Sequence, residues 1–266
     1  ESPDAAAKTD QAVRRRTVRL DANESPLPAE ASQVVIGFIG AGNYATQVLI
    51  PAFSQAPAVL KSVASAAGVS GVHAAKKFRI PQTTTDSNGI IANTDINTVV
   101  VTTRHNSHAK FVCQALEAGK HVFVEKPLAL TREELIQIEA TYGQPASQSG
   151  APLLMVGFNR RFSPHVQKIK NLIDGVREPK SFVMTVNAGA IPADHWTQDK
   201  TVGGGRIIGE GCLFVDLLRF LAGSPFVSTQ AMMMGQIDCV PIRDDKVTIS
   251  MSFDDGSFGT VHYLAN

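Results

Sequence analysis

The order of apolar and polar positions changes twice along the chain, near residue 34 and near residue 160. From Val34 the run VVIGFIG, β-branched and ending in glycine, predicts a buried strand, and residues 43–55 behind it predict a helix. VLKSVAS predicts a second strand and 70–78 a second helix, and TDINTVVVTT closes on a strand over 98–102. Residues 107–118 carry apolar positions at helical spacing and stop at Gly119, the residue type favoured just past a helix end. HVFVE predicts another strand. Thr131, with Glu134 three positions on, forms a capping box for a helix over 131–142, and APLLMVGF predicts one more strand. Strands alternating with helices specify an α/β fold with a parallel, doubly wound sheet.

Past residue 160 the texture differs. A helix over 164–175 leads into the strand KSFVMTVNAG, and a second helix covers roughly 206–221. VSTQAMMMG and DKVTISMSFDDGSFGTVHYL then give strands without intervening helices, joined by a hairpin turn at Asp254-Asp255-Gly256. This predicts an α+β domain with an open, mostly antiparallel sheet. The expected organisation is a linker or disordered tail over 1–33, a dinucleotide-binding domain over 34–158 and a substrate-binding and oligomerisation domain over 159–266. Because the chain starts without methionine and stops directly after a strand, truncation at both ends is expected.

Composition narrows the function classes. The 266 residues are enough for two domains, and 44% hydrophobic with 18% charged residues is ordinary for a globular protein. A net charge of +1 gives no field that would favour nucleic acid or a membrane surface, and no apolar run approaches a membrane span. Three scattered cysteines, Cys113, Cys212 and Cys239, form neither a disulfide framework nor a metal-ligand pattern, so no metal is expected and a cytoplasmic location is. Residues 1–33 mix charge, Ala, Pro and Ser with few large apolar side chains, and RRRTVR at 14–19 reads as part of a solvated linker.

The candidate chemistry begins in GFIGAGNYA. Gly40-x-Gly42-x-x-Ala45, with Asn43 and Tyr44 inside the turn, follows a strand and opens a helix. Gly40 permits the tight turn, Gly42 lets backbone approach a pyrophosphate, and Ala45 allows close helix–sheet packing. An NAD site usually has an acid after the second strand to bind the ribose diol, but ASAAG at 64–68 has none. Ser65 and Ser70, with His73 or Lys76 nearby, could accept a 2′-phosphate instead, so NAD and NADP both remain open with the balance slightly toward NADP. Parallel strands deliver their C-terminal ends to one edge, which brings Thr103, Arg104, His105, His108, Glu125 and Lys126 to the phosphate side, with Pro127 fixing the turn after them.

GFIGAGNYA, TTRHNSHAKFVCQALEAGKHVFVEKPLAL and VGFNRRFSP together resemble the Gfo/Idh/MocA family of nicotinamide-dependent sugar and cyclitol oxidoreductases, over about residues 34–266. GAGNYA, TRH, GFNRRF and DHWTQD…GGGRIIGEGC resemble more narrowly its bi-domain members, in which this module follows an alcohol dehydrogenase-like half. The resemblance implies a Rossmann domain followed by an open-faced sheet used for substrate binding and homo-oligomer contacts. It assigns Lys126 to the nicotinamide ribose and the reacting hydroxyl, and Asn159, Arg160 and Arg161 to cofactor and substrate contacts. It also exposes a departure. Many members carry aspartate at the position of Gly209 and a proton-transferring histidine at that of Leu213. Leucine moves no proton, so Glu210, Asp216 and the His195 of DHWTQD, next to Trp196, become the possible substitutes. The implied function is hydride transfer between nicotinamide and a hydroxyl or carbonyl carbon of a sugar or nucleotide sugar. A family glycosidase using NAD transiently and a non-catalytic dinucleotide-binding regulator or scaffold are the alternatives.

Overall fold

The computed structural model describes residues 16–20, 33–143, 150–235 and 245–265. Cys239 and most of the segment read as a linker lie outside them. The described residues belong to two compact units. One draws on Glu1–Thr103, Ser107–Val124 and Leu135–Met155, the other on Arg104–Asn106, Glu125–Glu134 and Val156–Asn266. Arg104–Asn106 and Glu125–Glu134, inside the span read as dinucleotide-binding, thus pack with the second unit.

The first unit is built on a seven-stranded sheet. Its strands are β1 (Thr17–Arg19), β2 (Val34–Ile39), β3 (Ala58–Ala64), β4 (Gln82–Thr84), β5 (Thr98–Val101), β6 (His121–Val124) and β7 (Leu154–Val156), in spatial order β1-β4-β3-β2-β5-β6-β7. β4, β3, β2, β5 and β6 run parallel. The order reverses at β2, which has β3 on one side and β5 on the other, and a doubly wound sheet opens its ligand crevice at such a point. All but the first residue of β2 are buried, as a strand covered on both faces requires. Ile36, Phe38, Ile50, Val63, Ala74 and Val100 form its core, with Phe53 edge-on to both Phe38 and Phe123.

The helices of this unit are α1 (Ile50–Ser54), α2 (Val69–Phe78), α3 (Ser87–Ala92), α4 (His108–Glu117) and α5 (Arg132–Tyr142). The helix expected over 43–55 is not uniform, because Ala45–Leu49 forms a π-helical turn before α1. The Ile50 N–H reaches back five residues to the Ala45 carbonyl, and Pro51, which has no N–H, lets the pattern change there without losing a donor. The predicted capping box forms, with Glu134 N–H on Thr131 Oγ1 at 3.1 Å and Glu134 Oε2 accepting from Thr131 N–H at 3.3 Å. The linker reading needs correction at Thr17–Arg19, which pair antiparallel with β4, and there Thr17 and Thr84 hydroxyls meet at 2.9 Å.

The second unit carries a four-stranded sheet of β8 (Ser181–Asn187), β9 (Phe226–Met233), β10 (Lys246–Phe253) and β11 (Phe258–Leu264), in order β8-β11-β10-β9. Only β8 and β11 are parallel. Its helices are α6 (Pro164–Ile173) and α7 (Cys212–Ala222), the latter entered through a π-helical turn at Ile207–Gly211. Leu213, Phe214 and Leu218 of α7 pack with Met251, Phe253, Val261 and Tyr263 as the core, while Val183 on the opposite sheet face is 76% exposed.

Candidate active site

In the first unit the glycine turn is held tightly. Gly40 sits at φ +113°, and a Cβ there would lie 2.7 Å from the Thr102 backbone. Gly40 N–H donates to the Ala64 carbonyl and Thr102 Oγ1 donates to the Gly40 carbonyl at 3.0 Å, so β3 and β5 fix the turn from both sides. Gly42 differs. A Cβ on it would meet nothing within 4 Å, which leaves that side of the turn open for a ligand to approach backbone. Ala45 is buried as close packing demands, whereas Asn43 and Tyr44 are exposed. These residues fit a bound dinucleotide: a forced turn, an open cradle, and helix amides behind it.

After β3, Ser65 is buried and shares a 2.5 Å hydrogen bond with the Ser70 hydroxyl. No carboxylate occupies 65–70. After β5, Thr103 and Ser107 hydroxyls meet at 2.6 Å, and His108 is fully buried with its Nε2–H donating to the Thr103 carbonyl at 3.1 Å. His108, a candidate cofactor contact, thus holds the Thr103 carbonyl. Lys120 was missed in the sequence. Buried beside β6, it donates from Nζ to the Asn93 and Ile96 carbonyls, and burial lowers its pKa.

The second unit gathers the other candidates around Gly209. Lys126, half-buried, donates from Nζ to the Gly209 carbonyl at 2.7 Å. His105, 8% exposed, donates from Nδ1 to the Gly203 carbonyl at 2.8 Å. A Cβ on Gly209 would lie 3.1 Å from His105 Cε1 and 3.1 Å from the Gly203 carbonyl oxygen. The imidazole thus fills the space where a larger residue at 209 would put its side chain. Trp196 stands edge-on to His105 at 4.9 Å, with the Arg104 guanidinium 5.6 Å from its ring and His195 tilted at 5.9 Å. His195 itself is exposed, with Nδ1 and the Thr197 hydroxyl 2.8 Å apart.

Two of the candidate polar side chains have charged partners of their own. Glu210 Oε2 accepts from Arg206 Nη2 at 2.7 Å, from Arg206 Nε at 3.0 Å and from the Tyr263 hydroxyl at 2.6 Å. Burial alone would raise its pKa, but those hydrogen bonds and the Arg206 and Lys126 charges hold it below the usual range. Arg206 and Tyr263 together hold Oε2 in place. The Arg206–Glu210 spacing of four on a helix was a visible signal for that pair. Arg161, expected to meet substrate, forks through Nε and Nη2 onto Asp216, while Arg160 lies 4.5 Å over the Phe214 ring and Asn159 is exposed in a 3-10 turn.

Glu125, next to Lys126, keeps a buried Oε1 with no hydrogen-bond partner among the described residues. Burial pushes its carboxyl up to about 7, against the opposing charge and amide of Lys126. The outer face of α7 lines a largely apolar cavity of about 510 Å³ with Pro127, Phe158, Ile208, Cys212, Val215 and Arg219. Burial raises the Cys212 thiol to about 11, so it stays protonated at neutral pH and is no nucleophile. Among the described residues no cluster of three or more His, Cys, Asp or Glu could hold a metal ion, and no helix is long and apolar enough to cross a membrane.

Residues 34–145 match the family model GFO_IDH_MocA, an oxidoreductase family with an NAD-binding Rossmann fold. The match covers the parallel sheet of the first unit. Inositol 2-dehydrogenase 2 of Saccharopolyspora erythraea is 32% identical over 149 residues, 55% of this chain and 41% of that protein. Levoglucosan dehydrogenase of Pseudarthrobacter phenanthrenivorans is 29% identical, over 86% of this chain and 66% of that protein. A solved structure of levoglucosan dehydrogenase in complex with NADH and levoglucosan superposes with a TM-score of 0.72 at 27% identity, covering 86% of this chain and 66% of that one. The likeness extends through both sheets, a parallel Rossmann sheet followed in sequence by a mostly antiparallel one. The chain spans 41% to 66% of the length of these two relatives.

Proposed function

We propose that this chain is the catalytic part of an NAD(P)-dependent oxidoreductase that moves a hydride between nicotinamide and a hydroxyl or carbonyl carbon of a sugar, nucleotide sugar or cyclic polyol. The observation that carries the reading is Lys126, which directly follows β6 and is anchored through Nζ on the Gly209 carbonyl. An ammonium has three donors, and one of them fixes its position here. The nearby cation stabilises negative charge developing on a reacting oxygen. The forced turn at Gly40 and the open one at Gly42 would hold the pyrophosphate. The dinucleotide, when bound, supplies a hydride acceptor or donor.

Trp196, with Arg104, His105 and His195 about it, offers an amphipathic wall for a polyol, which presents both C–H and O–H groups. Arg160 remains as a contact for substrate, whereas Arg161 serves the fold. The exposed Val227, Met232 and Met233 of β9 support the expectation of homo-oligomer contacts in this unit. An alcohol dehydrogenase-like partner module, a cytoplasmic setting and a slight preference for NADP belong to the same reading.

The test offers inositols, levoglucosan and nucleotide sugars with NAD⁺ and NADP⁺ to the protein and follows absorbance of the reduced nicotinamide. Substrate-dependent reduction is expected. Dinucleotide binding without reduction of any cofactor would favour a regulator or scaffold. Product formation from a glycoside without net cofactor reduction would favour the glycosidase alternative.

A further inference from the structure

We propose that Arg16 binds the 2′-phosphate of NADP and sets the cofactor preference of the first unit, a role that rests on the dinucleotide-binding reading above. RRRTVR, read from the sequence as solvated linker, ends in β1, and β1 runs antiparallel to β4 with Thr17 opposite Thr84 and Arg19 opposite Gln82. The antiparallel sense decides where its charges lie. β4 is parallel to β3, so its C-terminal end reaches the edge at which a doubly wound sheet binds ligand. Arg16 stands at that end, where its carbonyl accepts the Thr85 N–H at 2.8 Å and the Thr84 hydroxyl at 3.0 Å. Arg19 stands at the other.

The ribose side of the cofactor site lies in the same row. Ser65, directly after β3, donates its N–H to the Thr84 carbonyl at 3.0 Å, and its hydroxyl pairs with that of Ser70 at 2.5 Å. Ser65 and Arg16 thus flank the end of β4 from its two sides, two strand spacings or about 10 Å apart. The turn into α2 passes the same place, since a Cβ on Gly68 would lie 3.4 Å from Thr85 Cγ2. A phosphate resting on the Ser65–Ser70 hydroxyls fits in that interval, with a long guanidinium reaching it from the far side. Guanidinium keeps its charge at any working pH and forks onto phosphate through paired N–H donors.

The charges nearby agree with an anion. No carboxylate lies in 65–70, and the first turn of α2 has neither an acid nor a side-chain cap. Asp86, the next acid along, is occupied in capping α3, where it accepts from the Asn88 and Gly89 N–H groups. Lys76, the other candidate cation, lies in the last turn of α2, about 10 Å along the axis from its start. Arg16 is exposed, and its guanidinium has no ion pair among the described residues.

Fluorescence titration of the whole chain with NADPH and NADH tests the assignment, with 2′,5′-ADP and 5′-ADP as competitors. NADPH is expected to bind about three- to tenfold more tightly than NADH at low salt, and the preference should shrink as salt screens the exposed guanidinium. Arg16→Gln should erase the preference by weakening NADPH while NADH stays within about twofold, and Arg16→Glu should reverse it. Arg19→Gln, on the same strand at its opposite end, should leave the ratio unchanged. 2′,5′-ADP should displace NADH from the wild type better than 5′-ADP does, and no better from Arg16→Gln. An unchanged NADPH-to-NADH ratio in Arg16→Gln overturns the role of Arg16. Equal weakening of both dinucleotides overturns it too, since the contact would then be with a part that the two cofactors share. If the wild type binds neither dinucleotide, the dinucleotide-binding reading itself fails.

Discussion

Glu125 is the residue whose environment most clearly conflicts with its charge. One carboxylate oxygen is buried without a partner among the described residues, and burial moves its pKa from 4.5 to about 7. Between those values the folded protein keeps a proton that the unfolded chain has released. Stability therefore falls as pH rises through that window and levels off above it. With partial exposure taken into account the loss is on the order of 2 kcal/mol. Glu125→Gln should remove it: melting temperatures of variant and wild type lie close at pH 4.5, and by pH 8 the variant melts roughly 4–8 °C higher. Parallel curves for the two proteins would assign the pH response to another group. None of this was legible from the sequence. Glu-Lys-Pro named the residues, but burial of one oxygen depends on packing that no local pattern records.

The elements were legible where one residue type had one physical reason to be there. Gly119 after a helix, Thr131 with Glu134, and the Asp254-Asp255-Gly256 turn all appear where expected. What stayed hidden needed partners distant in sequence: the three residues of β1 form a strand only because β4 offers them an edge, and β4 and α3 are too short to show a period. The glycine turn supports a paired prediction at this scale. Gly40→Ala forces a side chain into positive φ and against the Thr102 backbone, so loss of folded protein by circular dichroism is expected. Gly42→Asp meets open space, so the protein should fold with an unchanged spectrum yet bind NADH at least tenfold more weakly, since the new charge faces phosphate. Retained affinity in that variant would remove the cradle from this loop. The β3–α2 connection adds a second expectation. With no acid at 65–70 to bind a ribose diol or repel a 2′-phosphate, NADH and NADPH should differ by less than about thirtyfold, ~2 kcal/mol. A larger preference for NADH in the same titration would mean that another group binds the ribose.

At the scale of the whole molecule, chemistry is divided between two units that the sequence order interleaves. The glycine turn belongs to the first, while Arg104–Asn106 and Glu125–Glu134, which lie between its strands in sequence, pack with the second. That division predicts separable losses. Lys126→Ala should lower kcat by ~10²–10³-fold through lost stabilisation of the developing oxyanion. Its effect on NADH affinity should stay below about tenfold, because Gly40 and Gly42 are untouched. Leu213 makes the complementary case. The family resemblance puts a proton-transferring histidine at this position, but Leu213 is 7% exposed and packs with Phe214, Leu218 and Tyr263. An imidazole in that apolar core has a polar edge to satisfy, at a cost of about 1–3 kcal/mol. Leu213→His is therefore expected to lower the melting temperature without raising kcat, measured on the same polyol and dinucleotide as Lys126→Ala. A gain in kcat from Leu213→His that Lys126→Ala abolishes would show instead that position 213 reaches the reacting oxygen, and the proton path would have to be redrawn around α7.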